Sequence, residues 1–150
     1  MNLINKKIKV IAKGLEFPEG PIFMKDGTII LVEIARGTLS RINNLGKIEI
    51  IADLEGGPNG AAIGPDGYCY VCNNGGFEWK TSKDGKRLMP ALESKNYSGG
   101  KIQKVNLVTG DFSTLYSECN GIPLKGPNDI VFDKKGNFWF TDLGKIRERN

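Results

Sequence analysis

Pro127-Asn128-Asp129-Ile130-Val131-Phe132-Asp133-Lys134-Lys135-Gly136, running into Asn137-Phe138-Trp139-Phe140-Thr141, decides the reading, because the chain carries the same pattern twice more. Pro18-Glu19-Gly20-Pro21-Ile22-Phe23-Met24-Lys25-Asp26-Gly27 runs into Thr28-Ile29-Ile30-Leu31-Val32. Pro58-Asn59-Gly60-Ala61-Ala62-Ile63-Gly64-Pro65-Asp66-Gly67 runs into Tyr68-Cys69-Tyr70-Val71-Cys72. In all three the first proline and the turn glycine lie nine positions apart. Each copy therefore predicts a short strand, a tight Asp-Gly or Lys-Gly turn in which glycine supplies a positive φ, and a second strand rich in β-formers.

A second kind of hairpin follows the first two copies. Gly37–Asn43 and Lys47–Ala52 flank a turn through Asn44-Leu45-Gly46, and Gly100–Leu107 and Asp111–Tyr116 flank a turn at Thr109-Gly110. Apolar and polar side chains alternate along them, as in half-buried strands. Inner and outer hairpin together make a four-stranded antiparallel unit, and the first two units start 40 residues apart, at Pro18 and Pro58. Units of roughly 40–50 residues are the blades of a β-propeller. A β-sandwich explains the alternation but not the return of Pro-x-Gly/Asp at one offset before each inner turn.

The predicted organisation is an all-β, incomplete propeller of about two and a half blades: one blade at 18–53, a second at 58–118, and the first hairpin of a third at 127–142. An insertion at 73–100 accounts for the longer second spacing; it is polar and turn-rich, and predicts a long structured loop pinned by Phe77 and Trp79. A closed ring needs at least about 160 residues, so the reading expects a piece of a longer protein.

Composition narrows the chemistry. The 150 residues include 20 glycines and 7 prolines, 18% together against roughly 12% on average, which favours short strands and many turns. With no histidine in the chain, no mechanism can use an imidazole from these residues. The net charge of +4 is dispersed, the nearest basic run being Lys6, Lys7 and Lys9, which argues against a nucleic-acid partner. No apolar run is long enough for a membrane span, and Met1 to Lys13 lacks a secretory signal, giving a cytoplasmic expectation. Cys69 and Cys72 lie three apart on a predicted strand and point to opposite faces, so they read as structural thiols and not as a zinc or disulfide pair.

In a propeller, equivalent positions of successive inner strands ring the axis, and the residue after each initial proline is Glu19, Asn59 or Asn128. Two readings stand on spacing alone. One carboxylate and two amides supply oxygens suited to a hard cation such as calcium or magnesium; equally, such residues accept backbone hydrogen bonds at strand starts.

Phe17-Pro18-Glu19-Gly20-Pro21, Asn73-Asn74-Gly75-Gly76-Phe77-Glu78-Trp79, and Gly126-Pro127-Asn128-Asp129-Ile130-Val131-Phe132-Asp133 followed by Phe140-Thr141-Asp142-Leu143-Gly144 resemble the SMP-30/gluconolactonase/LRE-like family, in its motif order and over nearly the whole chain. The resemblance implies the N-terminal half of a six-bladed propeller. It also implies an axial divalent cation, Ca2+ or another such as Mg2+, Mn2+ or Zn2+, and hydrolysis of a sugar lactone or, in relatives, an organophosphate. Residue by residue it makes Glu19 a metal-binding carboxylate and Asn128 a residue that binds the cation and contacts substrate. Asn59 and Asn74 fall in segments near the channel mouth and are candidates for substrate binding. A further asparagine ligand and the catalytic aspartate belong to later blades, so no catalytic residue is assigned here and the chain by itself is expected to be inactive. A non-catalytic binding platform on the same architecture is the alternative. Uncovered blade faces are expected to favour self-association.

Overall fold

The structure, a computed structural model, describes residues 8–146; Lys6 and Lys7 of the basic run lie outside the described residues. In the first unit β1 (Pro18–Phe23), β2 (Ile29–Glu33), β3 (Thr38–Ile42) and β4 (Ile48–Asp53) form one antiparallel sheet in chain order. β5 (Pro58–Ile63) and β6 (Cys69–Asn73) open the second unit. β7 (Phe77–Thr81) and β8 (Leu88–Glu93) then pair only with each other, before β9 (Lys101–Val105) and β10 (Phe112–Tyr116) rejoin the sheet in the order β5-β6-β9-β10. β11 (Glu118–Cys119) and β12 (Ile122–Pro123) make a two-residue ladder, and β13 (Pro127–Phe132) and β14 (Phe138–Asp142) form the third inner hairpin. Among the described residues there is no helix.

The turn glycines Gly27, Gly67 and Gly136 take φ of +84°, +81° and +86°, the left-handed conformation that their place in a tight hairpin turn demands. The insertion departs from expectation: it holds an antiparallel hairpin, with a register slip between Phe77 and Trp79, and not a loop. Its pattern is obscured because half of β8 is exposed, Pro90 lies within it, and a charged turn, Lys83–Lys86, separates the strands.

The sheets stack face to face. Ile30, Val32, Leu39, Ala52 and Leu54 of the first unit pack against Cys69, Val71 and Val105 of the second. Cys72 and Ile102 of the second cluster with Leu124 and with Ile130 of the third hairpin, and Tyr70, Phe138 and Phe140 pack against the cluster. Each branched side chain buried this way stabilises the stack by about 1.5–3 kcal/mol. The result is a propeller-like series of antiparallel blades.

The three inner strands share one irregularity. Pro18 pairs with Glu33, Pro58 with Asn73 and Pro127 with Asp142, and the register slips directly after the last two pairs and one pair later, after Glu19–Val32, in the first. The slip is a β-bulge in which two residues oppose one: Gly20 and Pro21 face Leu31, Asn59 and Gly60 face Cys72, and Asn128 and Asp129 face Thr141. At these bulges the inner strands nearly touch. A methyl at Gly20 would lie 2.9 Å from Ala61 N, and one at Gly60 would lie 2.5 Å from Asn128 O and 2.6 Å from Asp129 Cα.

Gly60→Ala must push backbone away from backbone, because no side chain is available to yield. We expect it to destabilise the fold by about 1–3 kcal/mol, measured as a lowered urea midpoint; a midpoint equal to wild type would refute the tight contact.

Candidate functional site

The residues that follow the three prolines converge on one place, Asn59 and Asn128 from within their bulges and Glu19 from the position just before its own. Glu19, Asn59 and Asn128, with Gly20, Gly60 and Asp129, line a polar cleft of about 280 Å³ between the three inner strands. Glu19 is exposed, and Asn59 and Asn128 are half-buried. Asp129 adds a second carboxylate that sequence spacing did not single out; it stands where the first two units carry glycine. It is held on the third hairpin, its N–H donating to Thr141 Oγ1 (3.2 Å) and its Oδ1 accepting from Ile130 N–H (2.9 Å).

Two carboxylates and two amides give the cleft a set of oxygen donors, which suits a hard divalent cation and does not suit a thiophilic one. Among the described residues no three carboxylate, thiol or imidazole groups cluster closely enough to hold an ion. A cation here would therefore draw on amide oxygens and water as well as on Glu19 and Asp129.

Asn74, the fourth predicted site residue, does not line this cleft. It is buried beside Gly57: its N–H donates to Gly57 O (2.9 Å), and its Oδ1 accepts from Gly76 N–H (2.9 Å) and from Lys145 Nζ (3.3 Å). Gly57 is two residues before Asn59, so Asn74 sits at the same end of the blades, one residue-pair away from the cleft.

A second repeated set was missed in the sequence, although its signal was present. Glu33, Asn73 and Asp142 each lie fifteen residues after the proline they pair with. Each uses side-chain oxygen to grip the backbone that leads into its inner strand. Glu33 Oε2 accepts from Glu16 N–H (2.7 Å), Asn73 Oδ1 from Gly57 N–H (2.9 Å), and Asp142 from Lys125 and Gly126 N–H (2.8 and 2.7 Å). Glu33 is wholly buried, and its charge is met by Arg36 Nε at 3.0 Å and Ser40 Oγ at 2.7 Å. Asn73, also wholly buried, donates to Glu55 O and Gln103 Oε1, both at 2.9 Å. These residues fix the strand entries that carry Glu19, Asn59 and Asn128.

The thiols behave as read. Cys69 and Cys72 are free and buried, and burial pushes both up to about 12, which leaves them inert. Cys119 is exposed.

Comparison with known proteins agrees with the architecture. The family model described as SMP-30/Gluconolactonase/LRE-like region matches residues 17–150. Over 153 residues the chain is 26% identical to a gluconolactonase from Zymomonas mobilis subsp. mobilis, an alignment covering 93% of this chain and 36% of the relative. It is 32% identical over 139 residues to lactonase drp35 of Staphylococcus aureus (strain MW2), covering 91% and 36%. A solved gluconolactonase from Xanthomonas campestris shares the fold, with a TM-score of 0.65 at 19% identity over 88% of this chain and 37% of its own. The chain thus spans little more than a third of the length of the curated relatives it matches.

Asp142 supplies a pH test of the strand grip. Partial burial works to raise its carboxyl, but hydrogen bonds from Lys125, Gly144 and Gly126 N–H outweigh it and hold the group below the usual carboxylate range. A depressed folded-state value stabilises above the unfolded pKa of about 3.9, and that contribution is lost as pH falls through the lower folded value. Asp142→Asn should cost roughly 1 kcal/mol at pH 7, discounted for solvent screening, and the gap to wild type should close below about pH 4 in denaturant titrations. A gap that persists at low pH would refute the assignment.

Proposed function

This chain belongs to the SMP-30/Gluconolactonase/LRE-like family, and on that premise we propose that it is part of a longer six-bladed propeller that hydrolyses a sugar lactone with the aid of a divalent cation, Ca2+ in the first instance. The observation that carries the reading is the convergence of Glu19, Asn59, Asn128 and Asp129 on one polar cleft. Relatives named gluconolactonase and lactonase drp35 support the reaction class.

In this reading Glu19 and Asn128 would hold the ion, and Asp129 brings a second negative charge to the same cleft. An ion bound there would supply Lewis-acid polarisation of the lactone carbonyl. Asn59 and Asn128 also carry amide N–H2 groups, which suit hydroxyl and ring oxygens of a polyol and so orient it. The inner-strand contacts at Gly20 and Gly60 keep these groups from moving apart, so the cleft is preorganised for the charge that develops on the carbonyl oxygen. The base that activates water is assigned to a blade outside these residues. The isolated 150-residue chain is accordingly proposed to be inactive toward lactones. Val131 and Trp139, both mostly exposed on the outer face of the third hairpin, support self-association when that face has no neighbour.

Two measurements test the proposal. In the full-length protein Glu19→Gln should reduce cation-dependent lactone hydrolysis by at least about 100-fold without unfolding it, and retained activity would exclude Glu19 from the site. In titration calorimetry the 150-residue chain alone should bind calcium no more tightly than about 1 mM, since few of the six to eight oxygens the ion needs are protein-borne here. Micromolar binding by a monomer would contradict this.

A further inference from the structure

Among the described residues three other than glycine take a left-handed backbone: Phe17, Glu55 and Asn120. Phe17, at φ +57°, is the outlier, because a bulky side chain is rarely found there and because the residue before a proline is driven toward the extended region. The other two units place Gly57 and Gly126 before their prolines, and neither glycine is left-handed. The first unit thus puts the conformation that glycine adopts freely on an aromatic residue, two positions ahead of Glu19. Strain of this kind persists only where the surroundings over-determine it.

Two sets of contacts do so. Along the backbone, Phe17 O accepts from Ile34 N–H (3.0 Å), while on its two flanks Glu16 O accepts from Ala35 N–H (3.2 Å) and Pro18 pairs with Glu33. At the side chain, the Phe17 ring lies 5.0 Å from that of Trp79, tilted by 53°, and Trp79 in turn lies 6.2 Å from the Phe77 ring at 83°. Aromatic pairs attract at these spacings. Trp79 belongs to β7 of the inserted hairpin, whose strands pair only with each other. The hairpin is nonetheless a fixed support. At its root Lys145 Nζ donates to Gly76 O (2.5 Å) and lies 3.8 Å from the centre of the Phe77 ring, and Glu93 N–H donates to Ile146 O (2.9 Å).

A glycine at position 17 would take the same φ without strain but would give the hairpin nothing to hold. We propose that Trp79 is a positioning residue: its ring keeps Phe17 in the left-handed turn, and that turn aims Glu19 into the cleft. The transmission crosses one residue. Pro18 has its φ fixed by its own ring and cannot absorb a change at Phe17. Relaxation of Phe17 toward the extended region would therefore swing the chain that follows and carry the Glu19 carboxylate away from Asn59 and Asn128. The part that Glu19 plays toward a cation rests on the lactonase reading; the hold of Trp79 on Phe17 does not.

Two measurements on the full-length protein separate these parts. The Ile34 amide reports on Phe17 directly, since it donates to the carbonyl that moves when the turn relaxes. Residue-resolved hydrogen exchange by NMR should show Ile34 quickened by about tenfold in Trp79→Ala, the worth of one aromatic pair, with the core amides of Leu39 and Val71 unchanged. In calorimetry, calcium affinity should fall by about tenfold in Trp79→Ala and stay within about twofold of wild type in Trp79→Phe, which keeps a ring against Phe17. A residue that merely anchored the hairpin would leave calcium affinity as it was. Phe17→Leu, which removes the ring from the other side, should reproduce both effects, and the double variant should lie within about twofold of either single. Unchanged Ile34 exchange in Trp79→Ala would overturn the hold. Quickened Ile34 exchange with unchanged calcium affinity, or losses that multiply in the double variant, would overturn the transmission to Glu19. Should Leu39 and Val71 quicken as well, Phe17→Leu decides by the same criteria. If wild type binds no calcium, the cation reading of the cleft fails, while Ile34 exchange still decides the hold of Trp79.

Discussion

Main chain pressed against main chain at Gly20 and Gly60 is the constraint on which the rest of this molecule depends. Side chains can adjust to a neighbour by changing rotamer, whereas two backbones at van der Waals distance have no such freedom. The contacts lie at the bulges of the inner strands, where the twist that re-aims a side chain is also greatest. Blade spacing and site geometry are therefore set by the same few atoms. The apolar cores between blades supply most of the stabilisation, but they would tolerate a shift that the glycine contacts would not.

Around this centre the polar groups divide into those that build and those that are available. Glu33, Asn73 and Asp142 are spent on backbone N–H groups at the strand entries, and the burial of Glu33 and Asn73 is tolerable because their side-chain oxygens have donors. Glu19, Asn59 and Asn128 stand one or two residues away, on the other side of the same proline, and point into the cleft. The inserted hairpin is held above this end of the blades by Trp79 against Phe17 and by Lys145 against Gly76 and Phe77. A segment that composition would assign to a tolerated insertion is in fact bound to both flanks of the cleft.

What could be read in the sequence was whatever depends on short-range periodicity. Gly27, Gly67 and Gly136 mark the inner turns because a positive φ has few other suppliers, whereas the alternation along the outer hairpins did not foretell their cover: β3 is buried at four of its five positions and β10 is exposed throughout. Glu19, Asn59 and Asn128 were legible as a set because they share an offset from a proline. Asp129 was not, because it breaks the glycine rule that the other units obey. Asn73 falls at the edge of the 73–100 insertion by sequence spacing, although it ends β6 and pairs with Pro58. The β7–β8 hairpin gave little signal because its strands bury no residue fully and so need no continuous apolar face. Lys145 was invisible for a different reason: its partners Asn74 and Gly76 are 71 and 69 positions earlier, and only the folded path of the insertion brings them together.

The bulge has an evolutionary corollary. Because spacing is carried by the glycine in the first two units and pairing by the proline in all three, the residue after the proline carries no inter-strand spacing, and the three units already place Glu, Asn and Asn there. Such a position is an interchangeable socket: its occupant can be exchanged for another polar group with little effect on folding. Chemical novelty in this architecture is therefore cheap to sample, one spoke at a time, while the hub stays as it was.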